Sequence, residues 1–268
     1  MNRNIAILVA SHDGYQDIWH PFFHYFYHSW PDCPYPLFLG TNKVEYFDKR
    51  VTSLLIGEDK DYSSNLISMI SQIEQEWVIL SVEDIFLNKT VDNQRFTNLI
   101  EFAINHEIDH LHLIYKKVNP FNLIFHKHKI TNEIYELPRG IPYRISITFC
   151  LWKKNVLLDL LKKGESAWEL ELNGSRRSDN LKFRSCTISE KHSPPLLKWK
   201  HGVIKGIWTY EGLKFIKKSN QDFDLSKRRS QNLLSHIYLK LYTLARYIYL
   251  GYCKRNISKN ALKNIKIP

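Results

Sequence analysis

The chain has only four cysteines, Cys33, Cys150, Cys186 and Cys253, and no CxxC pair among them. Such scattered thiols offer neither a zinc site nor a disulfide framework, and the simplest compartment for them is a reducing cytoplasm. No stretch approaches the ~20 apolar residues of a membrane span, and the N-terminal apolar run, Ile5 to Ala10, is too short for a secretion signal. There is no GxGxxG after that run and no Walker-type GxxxxGK loop, which removes the common dinucleotide and P-loop phosphate sites. Internal repeats and low-complexity segments are missing too. From Lys227 to the end there is neither Asp nor Glu.

What is present is a core. Of 268 residues, 44% are hydrophobic and 13% aromatic, ample for a folded α/β domain. The formal net charge is +11, but ten basic residues lie at or beyond Lys227, so the preceding body is close to neutral. This divides the chain into a globular domain over 1–222 and a basic arm over 223–268. Charge confined to an arm, with no nucleic-acid-binding motif, argues against a nucleic-acid partner. In the arm, Leu234, Ile237, Tyr238, Leu241, Leu244, Ala245, Ile248 and Tyr252 recur at helical spacing among Lys and Arg. A basic helix of that kind is expected to lie on an anionic membrane surface, here peripherally at the inner face of the cytoplasmic membrane. The same stripe could instead pack on the domain.

The body alternates strand and helix patterns. IAILVAS, PYPLFLGTN (34–42), WVILSVED and HLHLIYKK (110–117) read as strands; SSNLISMISQIEQE (63–76) and RFTNLIEFAINH (95–106) carry apolar residues at helical spacing. That order predicts a mostly parallel sheet with helices on both faces. Farther on, NEIYELP and PYRISITFCLW (142–152) read as strands and KKNVLLDLLKKG as a short helix.

Polar chemistry gathers at three places. Glu83-Asp84 follows the buried strand Trp77–Val82 with no turn residue between. At the carboxyl edge of an α/β sheet such carboxylates need a cation or hydrogen bonds; alternatively they cap whatever follows. In ESAWELELNGSRRS, Glu165, Glu169 and Glu171 surround Trp168 ahead of Arg176 and Arg177, a grouping that suits an acceptor pocket with a general base or, equally, a solvated helix face. HGVIKGIW sets His201 four residues before Lys205 between two glycines, suiting a metal ligand and a diphosphate partner, or a plain β-hairpin.

Together SHDGY, WHPFFHYFYHSWPDCPYPLFLGTN, SVEDIFL, ESAWELE and HGVIKGIW resemble the small GT-A-type glycosyltransferases of bacterial surface-polysaccharide clusters, across roughly residues 5–215. The resemblance implies a GT-A-like, Rossmann-like fold that transfers a sugar from a nucleotide-sugar donor, a UDP-sugar being the commonest choice, to a lipid-linked or saccharide acceptor. It implies Mg²⁺ or Mn²⁺ held at a DxD-like motif, which here reads Val82-Glu83-Asp84, with Asp84 the metal contact and Glu83 beside the donor. Carried over by position, His201 would complete the metal site, Lys205 would touch the diphosphate, and Ser11, His12 and Asp13 would face the base and ribose. Glu169 and Glu171 lead as the base of an inverting displacement, with Glu165 third; a retaining reaction would need none. Trp168, Arg176 and Arg177 would bind the acceptor. A metal-dependent phosphoester or nucleotide-sugar hydrolase is the competing enzyme reading.

Overall fold

The computed structural model describes residues 4–114, 128–189, 193–219, 221–238, 241, 242, 244 and 245. In chain order the strands are β1 Ile5–Ala10, β2 Leu37–Thr41, β3 Val51–Leu55, β4 Trp77–Val82, β5 Ile85–Leu87, β6 His110–His112, β7 His128–Lys129, β8 Ile134–Glu136, β9 Cys150–Lys153, β10 Ser185–Ile188, β11 Trp199–His201, β12 Val203–Ile204 and β13 Ile207–Trp208. The helices are α1 Gln16–Ser29, α2 Tyr62–Ile70, α3 Asn93–Asn105, α4 Lys154–Leu160, α5 Ala167–Glu169, α6 Ser175–Ser178 and α7 Tyr210–Lys217.

Among the described residues nine strands form one sheet in the order β3-β2-β1-β4-β9-β6-β10-β8-β7. The pairings from β3 to β4 are all parallel, β9 is antiparallel to both neighbours, and β8 is likewise reversed. All but β9 and β8 therefore point the same way, the α/β sheet expected from the alternating pattern. Strand β1 shows why it sits centrally. Ile5, Ile7 and Val9 face one core with residues of α1 and α3, while Ala6, Leu8 and Ala10 face the other with Leu66, Met69 and Leu157 of α2 and α4. A strand covered on both faces reads as a continuous apolar run rather than an alternation.

The caps have visible causes. The Asp61 carboxylate accepts from Ser64 N–H at 2.9 Å and the Asp92 carboxylate from Arg95 N–H at 3.0 Å, each satisfying a helix-start donor. Several boundaries differ from expectation. Only Cys150–Lys153 of the 142–152 run is strand, because Tyr143 (φ 57°) and Phe149 (φ 38°) take left-handed backbone that no ladder accommodates. Strand β6 spans His110–His112, and 115–117 lies outside the described residues. Helix α1 and strand β3 went unread in the sequence.

Candidate active site

Glu83 and Asp84 form the turn between β4 and β5. The hydrophobics after them are not a capped helix: Ile85–Leu87 pairs antiparallel with β11, setting His201 opposite Ile85. Gly202 N–H then donates to the Asp84 carbonyl at 2.7 Å. Two sequence candidates 117 positions apart are thus brought within one residue of register through Ile85–Leu87.

Glu83 is buried and Asp84 half-buried. Burial raises both carboxyl groups above their ordinary range, and for Glu83 the neighbouring Asp84 adds to it. Ser11 works the other way: its hydroxyl hydrogen-bonds the Glu83 carboxylate and accepts from Trp19 Nε1 at 2.7 Å. Glu83 is therefore turned toward Ser11, while Asp84 keeps partial contact with solvent.

The other first-strand candidates are held by local structure. His12 Nδ1 accepts from Gly14 N–H at 3.2 Å, capping the short 3₁₀ turn Asp13–Tyr15. The Asp13 carboxylate accepts from the backbone N–H groups of Asn42, Lys43 and Val44 at 2.9, 3.0 and 3.3 Å, tying the ends of β1 and β2 together.

HGVIKGIW is a hairpin. Strands β12 and β13 pair antiparallel, and Lys205 (φ 50°) and Gly206 (φ 76°) are its two turn residues, the left-handed pair of a type I′ turn. The Lys205 side chain is exposed at the tip. The Gly206 backbone hydrogen-bonds the Tyr15 hydroxyl, so the hairpin leans on the Asp13–Tyr15 turn. Crowding around His201, on a ring that still reaches the surface, pushes its pKa down to about 4 and keeps the imidazole neutral, the form that ligates metals.

The acid-rich segment folds as α5, a π-helical turn Leu170–Gly174, and α6 in continuous succession. Its three acids have separate situations. Glu165 receives Arg177 bidentately, both contacts 2.6 Å, and Asn173 Nδ2 at 3.1 Å. Glu169 closes a capping box with Ser166, whose N–H and hydroxyl lower its pKa. Glu171 accepts from Ser146 Oγ at 2.9 Å and Ile147 N–H at 3.3 Å. Trp168 is 49% exposed, and the Arg176 guanidinium donates to Asn173 Oδ1 at 3.1 Å.

The segment docks on the first half of the chain through Ser63 N–H, which donates to the Glu165 carbonyl at 3.1 Å. Beside that contact lies Tyr62, unnoticed in the sequence. Its hydroxyl is buried without a hydrogen-bond partner, and its pKa is raised by burial, then by Cys150, Glu171, Glu83 and Asp84. Tyr62 is thus within electrostatic reach of three carboxylates, Glu171, Glu83 and Asp84. Glu165 and Glu169 are engaged elsewhere.

For a divalent cation the described residues offer part of a donor set. Adjacent carboxylates lifted in pKa by burial gain from a hard cation, and a neutral imidazole follows on the paired strand. Among the described residues no three His, Cys, Asp or Glu side chains converge as a complete metal-binding group, so a ligand oxygen would have to finish the shell.

No family model and no curated protein matches the chain. Among solved structures it is similar to S. aureus TarS, with 14% identity and a TM-score of 0.48 over 99% of this chain. It spans about half of that protein, 46%, and 76% of TarS 1–349 solved in complex with UDP. It is also similar to a UDP-glucose pyrophosphorylase (8% identity, 74% of this chain and 93% of that one, TM-score 0.47). A third is the galactosyltransferase LgtC, in complex with donor and acceptor sugar analogs (9% identity, 97% of this chain and 100% of that one, TM-score 0.39). Likenesses this distant leave function to be argued from the site.

Proposed function

We propose that the protein is a glycosyltransferase that takes a sugar from a nucleotide-sugar donor, a UDP-sugar, and delivers it to a lipid-linked or saccharide acceptor of bacterial surface polysaccharide. The observation that carries the reading is the buried, unpartnered Tyr62 hydroxyl within electrostatic reach of Glu171 and of Glu83-Asp84, the acid pair that ends β4 at the carboxyl edge of the parallel strands. Open α/β sheets bind ligands at that edge.

In this reading the donor diphosphate lies against the Asp13–Tyr15 turn and the Lys205-Gly206 turn. Asp84, with His201, would hold Mg²⁺ or Mn²⁺, which when bound would neutralise charge building on the leaving diphosphate. Glu171, held by Ser146 Oγ and Ile147 N–H, accepts the acceptor hydroxyl proton as that oxygen attacks the anomeric carbon. Trp168 offers an exposed aromatic face for a sugar ring.

The start of the arm supports a peripheral membrane position. Leu234, Tyr238 and Leu241 are 77%, 69% and 61% exposed, and no helix of the described residues is long and apolar enough to cross a bilayer. Residues 246–268 lie outside the described residues.

The experiment is a nucleotide-sugar screen with and without Mn²⁺, followed by transfer assays on Asp84→Ala. Donor binding in the wild type with transfer abolished in the variant supports the reading. Wild-type turnover in Asp84→Ala removes the metal assignment, and sugar release at a rate indifferent to every acceptor favours the hydrolase instead.

A further inference from the structure

The first residues of the basic arm are built into the body. The Phe223 ring packs edge-on against His20 and His24 of α1, with centroids 5.5 Å apart in each case. Trp208 N–H donates to the Arg229 carbonyl and Gln231 N–H to the Trp208 carbonyl, each at 2.9 Å, so the chain at Ser230 lies parallel beside β13. Between those anchors Arg228 reaches back to the start of the chain. Its Nε and Nη2 each donate to the Asp17 carboxylate at 2.7 Å, Nη2 also donates to the Gly14 carbonyl at 2.7 Å, and the guanidinium lies 4.1 Å from the Tyr15 ring centroid.

A cleft of about 360 Å³ opens among these elements, lined by Asp13, Gly14, Gly206, Lys227, Arg228 and Arg229 among others. Its acids are already matched: Asp13 by three backbone N–H groups, Asp17 by Arg228. Lys227 and Arg229 are exposed, and among the described residues neither closes an ion pair; Asp224 is a carboxylate that senses Lys227 from farther off. The cleft is therefore cationic. It borders the 3₁₀ turn and the hairpin turn, Tyr15 of the former is within electrostatic reach of Glu83 and Asp84, and Arg228 acts electrostatically on both Tyr15 and Glu83.

We propose that residues 227–229 form a wall of the donor cleft, in which Lys227 and Arg229 bind the diphosphate and Arg228 is a positioning residue that locks the Asp13–Tyr15 turn against the hairpin. The proposal rests on the nucleotide-sugar reading and deepens it. Two unpaired cations at a cleft mouth suit a phosphate pair, and the bidentate Arg228–Asp17 contact fixes backbone that Lys205 alone, at an exposed tip, would not hold.

The test is calorimetry of the full chain with UDP and, separately, inorganic pyrophosphate, at low and moderate salt. Lys227→Gln combined with Arg229→Gln is expected to weaken both ligands at least tenfold and to flatten the salt dependence, with the thermal midpoint unchanged. Arg228→Lys is expected to raise the donor KM at least fivefold with kcat largely kept. Wild-type UDP binding that persists undiminished in the double variant overturns the proposal and leaves the donor reading standing. A wild type that binds no nucleoside diphosphate overturns both. If the double variant loses phosphatidylglycerol vesicles but keeps UDP, the cations serve lipid phosphates and the proposal fails. A drop in midpoint that accounts for the whole activity loss in Arg228→Lys makes that residue structural.

Discussion

Arg177 grips Glu165 through two 2.6 Å contacts while its Nε and Nη2 also donate to the Leu160 carbonyl at 3.0 and 2.6 Å. A carboxylate held in this way ties the end of α4 to the helix that carries Glu171, which is a structural task. Glu165→Ala should therefore lower stability, leaving a charged partner unpaired. Breaking a fully buried pair costs about 3 to 5 kcal/mol; with 29% of the Arg177 side chain exposed, about 1 to 3 kcal/mol is expected. Denaturant melts give the number, and unchanged stability with lost turnover would restore Glu165 as the base.

Glu171 and Glu169 are expected to separate cleanly. Glu171→Gln should reduce kcat about 10²- to 10⁴-fold with the fold intact, the usual span for a lost general base. Glu169→Gln should leave kcat within a few-fold and stability little changed, because Gln at that position still closes the capping box with Ser166. Steady-state kinetics on both variants decides; the reverse ranking would move the base to the solvent side of the helix.

The acid pair should set a pH dependence. Raised carboxyl pKa values in the folded state mean that folding disfavours the charged forms, so their full stability is present below the ordinary carboxylate value of about 4 and declines as pH climbs through the raised values. Compared with wild type, Glu83→Gln/Asp84→Asn should lose less stability between mildly acidic and neutral pH. Mn²⁺ should raise the wild-type midpoint near neutrality and leave the double variant unmoved. Thermal melts across pH, with and without the ion, read both effects.

Gly212 offers a packing test of the His201 strand. A Cβ there would lie 2.6 Å from the His201 carbonyl and 2.7 Å from that of Gly202, both backbone atoms that cannot swing aside. Gly212→Ala should cost about 1 to 3 kcal/mol, as overpacking does, and should disturb β11 together with the bond from Gly202 to Asp84. A variant as stable as wild type would show that α7 can retreat without moving that strand.

The central sheet was legible where burial writes a simple pattern. β1 and β4 are covered on both faces and read as apolar runs; α2 and α3 show their periodicity, α3 ending near the expected position and α2 stopping at Ile70, six residues before the expected end. Helix α1 was not legible because Pro21 lies inside it, giving up an amide hydrogen bond, and because its buried face is built from Trp19, Phe22, Phe23 and Phe26 rather than aliphatic residues. The site was legible in part. Glu83-Asp84 and HGVIKGIW were found as polar residues at the edges of apolar runs, but only the β5–β11 pairing joins them. Tyr62 and Arg228 carry no local signal: one looks like an ordinary helix start, the other like one of ten arm cations, and each acquires meaning from partners far along the chain.

The bridge between Trp208 and Ser230 changes what cutting the chain would mean. Ending it after Asp222 would strip Trp208 of its carbonyl acceptor and its amide donor, remove the Phe223 ring from α1, and take away the counterion that covers Asp17. Ending it after Gln231 would spare all of these and discard only what lies beyond. A shortened protein made at the charge boundary and one made nine residues later are thus different experiments: the first tests whether the body can stand without its fastening, the second tests the arm.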